Sequence, residues 1–290
     1  YPHPFNFSAI NNFAVGHAHG EYLVLLNNDT MIIQEDWLDE LLNHAQRPEV
    51  GIVGAKLLYP SGYIQHAGVI TGLGGPAGHP FIGLPAAAHG YMQRLIVDQN
   101  YNVVTAACLM IRRSVYDDVL GMDEEHFKVS YNDVDLCLKV GAQGYLTVWT
   151  PRAVLIHEGS VSQTQTDRAS FADKLKRFTA EQHAMYRKWL PTLADDPAYN
   201  RNLSNTGNGF DLEGRTEWSW RPVKLPSLPA ILAHPADLSA SAQRRIFQPF
   251  TALREQGAID GVMTTYVPGV IDVERYQPDA IVLQRRLNNP

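Results

Sequence analysis

The chain alternates between short apolar runs of strand length and longer stretches with apolar residues every three or four positions. That alternation restricts it to folds in which helices cover a sheet. The clearest run, Tyr22-Leu-Val-Leu-Leu26, ends in Asn27, Asn28 and Asp29, three side chains that each carry an oxygen able to bind a cation. A buried strand that stops there puts them at its carboxyl end, where ligands bind in open α/β sheets. By themselves the three residues fit both an Asx turn closing the strand and a site for a hard divalent ion.

The surrounding pattern is consistent with that class. Ser8 is the expected N-cap of a helix over 8–18, which feeds the 22–26 strand. A helix over 35–46 carries Trp37, Leu38, Leu41 and Leu42 at helical spacing, with acidic residues in its first turn, and stops before Pro48. Strands are expected over 51–59 and 64–71 around the turn at Pro60-Ser-Gly62, and another over 102–112. A helix over 132–142 ended by Gly144, strands over 146–149 and 153–156, and a long helix over 168–190 follow. Residues 72–90 contain six Gly, three Pro and the histidines His79 and His89, a composition suited to a functional loop rather than regular structure.

A length of 290 residues suggests about two domains, at roughly 150 residues each. The first spans 1–194. Over 195–225 the apolar period gives way to Asn, Gly, Arg, Trp and Pro, which predicts a linker lying on a surface through Trp218 and Trp220. From 226 to 290 the pattern restarts as strand 230–233, helix 240–256, strand 261–265, a short helix and strand 280–284, the opening βαβαβ of a Rossmann-like parallel sheet. A start without Met and an end just after a strand pattern lead us to expect a piece of a longer protein.

A net charge of −6 and a pI near 6.0, without clustered Lys or Arg, exclude nucleic acid as the expected partner. Cys108 and Cys137 both lie in apolar surroundings, which predicts two buried thiols in a reducing cytoplasm rather than a disulfide or a four-cysteine zinc site. No apolar run reaches the roughly 18 residues a membrane span needs.

Three further places carry chemistry. Asn132-Asp-Val-Asp135 opens a helix with two carboxylates at the positive end of its dipole. They are either ordinary helix-start charge, or a base at Asp133 for a substrate hydroxyl with Asp135 supporting the site or binding an acceptor sugar. His157, after a buried strand, is either structural or a metal ligand, and the polar segment Ser162 to Thr166 beyond it is suited to closing over a ligand. His17 and His19 form a His-x-His, but in a helical stretch residues two apart diverge, which argues against zinc there.

Several segments in this order resemble the family 2 glycosyltransferases of the GT-A fold, especially bacterial enzymes that build surface polysaccharides. They are Phe7-Ser-Ala-Ile-Asn-Asn12, Tyr22 through Thr30, Val53-Gly-Ala-Lys-Leu-Leu-Tyr59, Ile64-Gln-His-Ala-Gly68, Thr105-Ala-Ala-Cys-Leu-Met-Ile-Arg-Arg113, Asn132-Asp-Val-Asp-Leu-Cys-Leu-Lys139 and Leu155-Ile-His-Glu-Gly-Ser160. The resemblance implies an inverting, metal-dependent transfer from a nucleotide-diphosphate sugar, UDP- or dTDP-linked, to a glycan or lipid-linked acceptor, in the cytoplasm or at the inner face of the membrane. It implies that Asn27, Asp29 and His157 hold Mn²⁺ or Mg²⁺, that Asp133 is the base, and that Asp135 belongs to the same site. Donor contacts are implied at Asn12, Asn28, Thr105, Ala106 and Lys139, and the 72–90 loop is expected to face the acceptor, with contacts at His79 and His89. A catalytically inactive sugar- or nucleotide-binding module is the alternative. A sugar nucleotidyltransferase would call for a Gly-rich, basic phosphate loop, which this sequence does not display.

The sequence departs from the family pattern at Asn27, where the usual motif has Asp, and this predicts weak metal binding without nucleotide. Asn132 replaces the usual Glu beside the base, Ala106 stands where Gly is usual, and Lys139 replaces a frequent Arg, turning a bidentate contact into a point charge. The family's opening strand and Pro-rich loop, which bind the base and ribose, are expected upstream of Tyr1. The 226–290 segment more loosely resembles the start of a GT-B glycosyltransferase.

Overall fold

Nine strands and five helices form about half of the described residues up to 211. Chain order gives α1 (Phe7–His17), β1 (Tyr22–Leu26), β2 (Thr30–Ile32), α2 (Trp37–Ala45), β3 (Val50–Leu58), β4 (Ile64–His66), β5 (Ile70–Thr71) and β6 (Ala77–Gly78). They are followed by β7 (Gln99–Tyr101), β8 (Cys108–Arg112), α3 (Arg113–Asp118), α4 (Asn132–Ala142), β9 (Leu146–His157) and α5 (Phe171–Ala194). The computed structural model describes residues 3–159, 170–214 and 227–284, and it divides into two compact units, 1–211 and 212–290.

The main sheet runs β1-β8-β3-β9-β2, with β4 added on β3 and β7 on β9. β8 is antiparallel to both β1 and β3, and β3 is parallel to β9, so β1, β3 and β9 run in one direction and end at one edge of the sheet. All nine residues of β3 are buried, as befits a strand covered on both faces. On one face Trp37, Leu41 and Ala45 of α2 pack against Val53, Ala55, Leu57, Cys108, Met110, Val148 and Leu155. Each large apolar side chain so buried contributes about 1.5–3 kcal/mol.

Four expectations change here. The cap of α1 is Asn6, whose Oδ1 accepts from the Ala9 N–H at 3.1 Å, and not Ser8, which is fully buried and donates to the Phe127 carbonyl at 2.5 Å. The single strand expected over 64–71 is broken at Gly68 (φ +89°), where any Cβ would run into the Tyr101 ring at 2.4 Å. Of the strand expected over 102–112 only β8 forms; β7 ends before it, and the irregular segment between the two carries Thr105 and Ala106. The two strands expected over 146–156 are one, β9, whose pairing with β3 shifts register between Gly54 and Lys56.

Residues 195–211, expected as linker, pack within the first unit. Asp196 is buried and accepts from the Thr71 N–H at 2.7 Å and the Thr71 hydroxyl at 3.0 Å. Phe210 stacks on Phe81 and Tyr91, with ring centroids 4.7 and 5.2 Å away, and so ties this segment to the 72–95 region. That region is irregular apart from β6, which pairs with β5, and a 3₁₀ turn at Tyr91–Gln93. Trp218 and Trp220 lie outside the described residues.

In the second unit β10 (Ala230–His234) lies between β11 (Asp260–Met263) and β12 (Ala280–Leu283), all parallel. Helical segments over 240–255 and Val270–Tyr276 connect them.

Both cysteines are free and buried. Burial pushes the Cys108 thiol up to about 12, and raises that of Cys137 as well. The thiolate is the reactive form. Neither thiol is therefore expected to react with Ellman's reagent at pH 8 in the folded protein, and both should react after unfolding in guanidinium.

Candidate active site

β1, β3 and β9 all finish at the same edge of the sheet, and the side chains just beyond them line a cleft of about 700 Å³. Leu26 to Asp29 come from the end of β1, Tyr59 from the end of β3, His157 and Gly159 from β9, Thr105 to Ala107 from the approach to β8, and Asn132 and Asp133 from the start of α4. This is the carboxyl edge, where an open α/β sheet leaves strand ends and loop backbone available to a ligand.

The Asn27–Asp29 stretch is both a turn and part of this site. The Asn27 carbonyl accepts from the Thr30 hydroxyl at 2.6 Å, which folds the chain back into β2, whose Thr30 pairs with His157 of β9. That pairing brings Asp29 Oδ1 to 3.1 Å and Asn27 Nδ2 to 3.2 Å from His157 Nε2. On the other side of the ring, His157 Nδ1 donates to Gln65 Oε1 at 2.5 Å. A ring that donates from Nδ1 keeps its Nε2 lone pair for a ligand, the arrangement by which second-layer partners orient metal-bound histidines.

Among the described residues no group of three His, Cys, Asp or Glu is close enough to hold a metal. The donor set is one carboxylate, one imidazole and one amide, which suits an ion that takes its remaining ligands from water and phosphate oxygens. Asp29 and His157 are both nearly buried, with side chains 8% and 11% exposed, and a lone carboxylate facing an imidazole lone pair is satisfied by a shared cation.

Asp133 faces the same cleft from the first turn of α4. Its Oδ2 accepts from the Thr105 hydroxyl at 3.0 Å and the Ala106 N–H at 3.2 Å, and its Oδ1 from the Val134 N–H at 2.9 Å. Three donors on one carboxylate fix its orientation. Asn132, buried beside it, donates to the Val129 carbonyl at 2.8 Å. Tyr131, at φ +60°, sits immediately before the helix. The loop leading into it is held by Glu181 of α5, a buried carboxylate that accepts from the N–H groups of Lys128, Val129 and Ser130 at 3.1, 3.2 and 2.7 Å.

Of the residues the sequence selected, Asn27, Asn28, Asp29, Thr105, Ala106, His79, Asp133 and His157 meet in the cleft. The others do not. Asn12 turns away to hold the 121–124 turn, donating to the Met122 carbonyl and Glu124 and accepting from the Tyr116 hydroxyl at 2.5 Å; its neighbour Asn11 lines the cleft instead. Lys139 donates to the carbonyls of Val119 and Gly121, so its charge is used inside the fold rather than on a phosphate. Asp135 is fully buried and away from the cleft, 2.7 Å from Lys188 Nζ and 2.8 Å from the Trp189 indole nitrogen, contacts that tie α4 to α5. His89 is exposed and outside the cleft lining. His17 closes the last turn of α1 and His19 lies beyond it, so the two do not share the helical stretch expected for them. The Ser162 to Thr166 segment lies outside the described residues.

Sequence reasoning passed over Gln65, His66 and Glu181. Glu181 carried a signal, since it shares a helix face with the buried Ala184 and Met185, where an unpaired carboxylate is rare. His66 likewise shares a buried strand face with Ile64.

His66 and His79 have a pH consequence. Burial first, then the neighbouring His79, holds His66 well below the ordinary histidine value, and burial also lowers His79 against the pull of Asp133. The unfolded chain therefore takes up protons near pH 6.5 that the folded chain refuses, so stability is fully present above that pH and falls as pH drops below it. The slope is at most about 1.4 kcal/mol per pH unit for each group. Denaturant midpoints measured from pH 7.5 to 5 should fall, and His66→Asn should flatten the fall.

A sequence model of glycosyl transferase family group 2 matches residues 22–189, and the chain belongs to that family. The mixed sheet described above is the family's GT-A α/β sheet. Among curated relatives, an uncharacterized protein, y4gI, of Sinorhizobium fredii is 50% identical over 209 residues, 72% of this chain and 23% of its own. The O-antigen biosynthesis protein RfbC of Myxococcus xanthus is 42% identical over 221 residues, 75% of this chain and 16% of its own. The chain thus spans less than a quarter of the length of either. An N-acetylglucosaminyl-diphospho-decaprenol L-rhamnosyltransferase of Mycobacterium tuberculosis is 28% identical over 158 residues, 51% of each chain. Among solved structures, the mannosyltransferase PcManGT from Pyrobaculum calidifontis, in complex with GDP-Man and Mn²⁺, matches at 16% identity over 65% of this chain and 49% of its own, with a TM-score of 0.37. No helix among the described residues is long and apolar enough to cross a membrane.

Proposed function

We propose that the first unit transfers a sugar, with inversion, from a UDP- or dTDP-linked donor to a hydroxyl of a glycan or lipid-linked acceptor in cell-surface polysaccharide synthesis, at the cytoplasmic side of the membrane. The observation that carries this reading is that Asp133 and the Asn27, Asp29 and His157 cluster line one cleft. The names of the relatives in O-antigen synthesis and rhamnosyl transfer support the substrate class.

Asp29, His157 and Asn27 would hold Mn²⁺ or Mg²⁺, which when bound offsets negative charge on a leaving diphosphate. Gln65 keeps the His157 ring in the tautomer that presents Nε2. Thr105 and the Ala106 N–H aim the Asp133 carboxylate, which takes the proton of the attacking hydroxyl. Asn28 borders the donor side of the cleft. The parallel β11-β10-β12 sheet of the second unit supports reading residues 226–290 as the opening of a GT-B-like domain.

Assaying the full-length protein with UDP-, dTDP- and GDP-sugars tests the reading. Turnover with Mn²⁺ that EDTA abolishes and Mn²⁺ restores is expected with one of these donors. Binding of donors without turnover under any metal would contradict it and favour an inactive sugar-binding module.

A further inference from the structure

Two histidines in the cleft wall are joined in a way that fixes both of their protons. His66, on β4, is 1% exposed, and its Nδ1 lies 3.0 Å from Nδ1 of His79, with the rings edge to face at 77°. His66 Nε2 is buried without a partner. One Nδ1 of the pair must donate and the other accept.

If His79 donated, His66 would carry its proton on the enclosed Nε2, a buried N–H with nothing to bond. His79 would also turn a bare Nε2 lone pair toward a cleft that holds the Asp133 carboxylate. If His66 donates, its orphan atom is an acceptor, which buried sites tolerate better than an orphan donor. The proton of His79 then sits on Nε2. Both comparisons select the second arrangement.

We infer that His66 is a positioning residue that locks His79 as an Nε2–H donor, and that His79 uses this N–H to bind an oxygen of the acceptor saccharide beside Asp133. The inference rests on the transferase reading for the acceptor but not for the tautomers. His66 touches no substrate; it sets which nitrogen of His79 carries the proton. An acceptor group able to accept a hydrogen bond is selected, and one that can only donate, such as an ammonium, is rejected.

The tautomers are read directly by long-range ¹H–¹⁵N correlation at pH 7.5, with assignments from His66→Asn and His79→Gln. A protonated Nδ1 on His66 and a protonated Nε2 on His79 are expected; the reverse pair, or a doubly protonated His79, overturns the inference. In kinetics of the full-length protein with octyl N-acetylglucosaminide as acceptor, His79→Ala should raise the acceptor KM roughly tenfold, with kcat changing less. His79→Gln, whose amide N–H takes the place of Nε2–H, should recover most of the loss. His66→Asn, which keeps a donor at the Nδ1 position, should stay closer to the parent than His66→Ala. Equal KM values in all four variants would overturn the acceptor role. Loss of inhibition by inorganic pyrophosphate in His79→Ala, with the acceptor KM unchanged, would assign His79 to phosphate instead. Absence of transfer from every donor removes the transferase reading and the acceptor role with it, and the tautomers still decide the pair.

Discussion

Replacing Asp133 by Asn should reduce sugar transfer by about 10²–10⁴-fold, the usual contribution of a positioned general base, while donor binding stays close to that of the parent. The substitution keeps the size of the side chain and one oxygen that can accept from Thr105 and Ala106, so the local fold is retained. What disappears is the group that takes the hydroxyl proton. Steady-state kinetics with the full-length protein measure the loss, and calorimetric titration with UDP measures the binding. Undiminished transfer in the variant would exclude Asp133 as the base.

The second large effect is structural and comes from a residue outside the cleft. Glu181→Ala leaves three loop N–H groups, those of Lys128, Val129 and Ser130, without their buried acceptor. Unsatisfied buried donors cost about 1–3 kcal/mol each, and partial relaxation brings the expected total to about 2–5 kcal/mol. For a unit of this size that lowers the midpoint of thermal unfolding by about 5–15 °C. Because the same loop delivers Asn132 and Asp133 to the cleft, transfer should fall well below the operating temperature limit as well. Glu181→Gln keeps one acceptor oxygen and should lose less. Near-ultraviolet circular dichroism melts check both, and an unchanged midpoint in Glu181→Ala would remove the role assigned to this carboxylate.

The legible parts of the molecule are those whose cause is local. Tyr22–Leu26 and Asn132–Ala142 match the residues expected, because a short apolar run and a helix with acidic residues in its first turn and glycine after its end carry their boundaries with them. Asp29, His157 and Asp133 were each legible as candidates beside the element they follow or open, and the family resemblance joined them as a set, which the cleft brings together. The breaks were not. Gly68 interrupts a strand because of Tyr101, 33 residues away in sequence, and nothing near Gly68 announces it.

Side-chain direction was the other hidden quantity. Asn11 and Asn12 are equivalent by residue type, yet consecutive helical positions point about 100° apart, and only the docking of α1 decides which one meets the cleft. Asp135 read as a site residue because it opens the same helix as Asp133, and Lys139 through the family resemblance, but their partners, Lys188 and Gly121, come from other segments of the chain. The same holds for Gln65, which reaches His157 across 92 residues.

The proposed metal site includes Asn27, an amide where a second carboxylate would bind a cation more tightly. Binding of Mn²⁺ followed by electron paramagnetic resonance, with and without UDP, therefore tests it most directly. The parent should bind Mn²⁺ weakly alone and at least about tenfold more tightly with UDP, as phosphate oxygens complete the coordination. Asn27→Asp should strengthen the nucleotide-free binding, and Asp29→Asn should abolish the gain from UDP. Mn²⁺ binding that is the same in the parent and in Asp29→Asn, with and without UDP, would contradict the site.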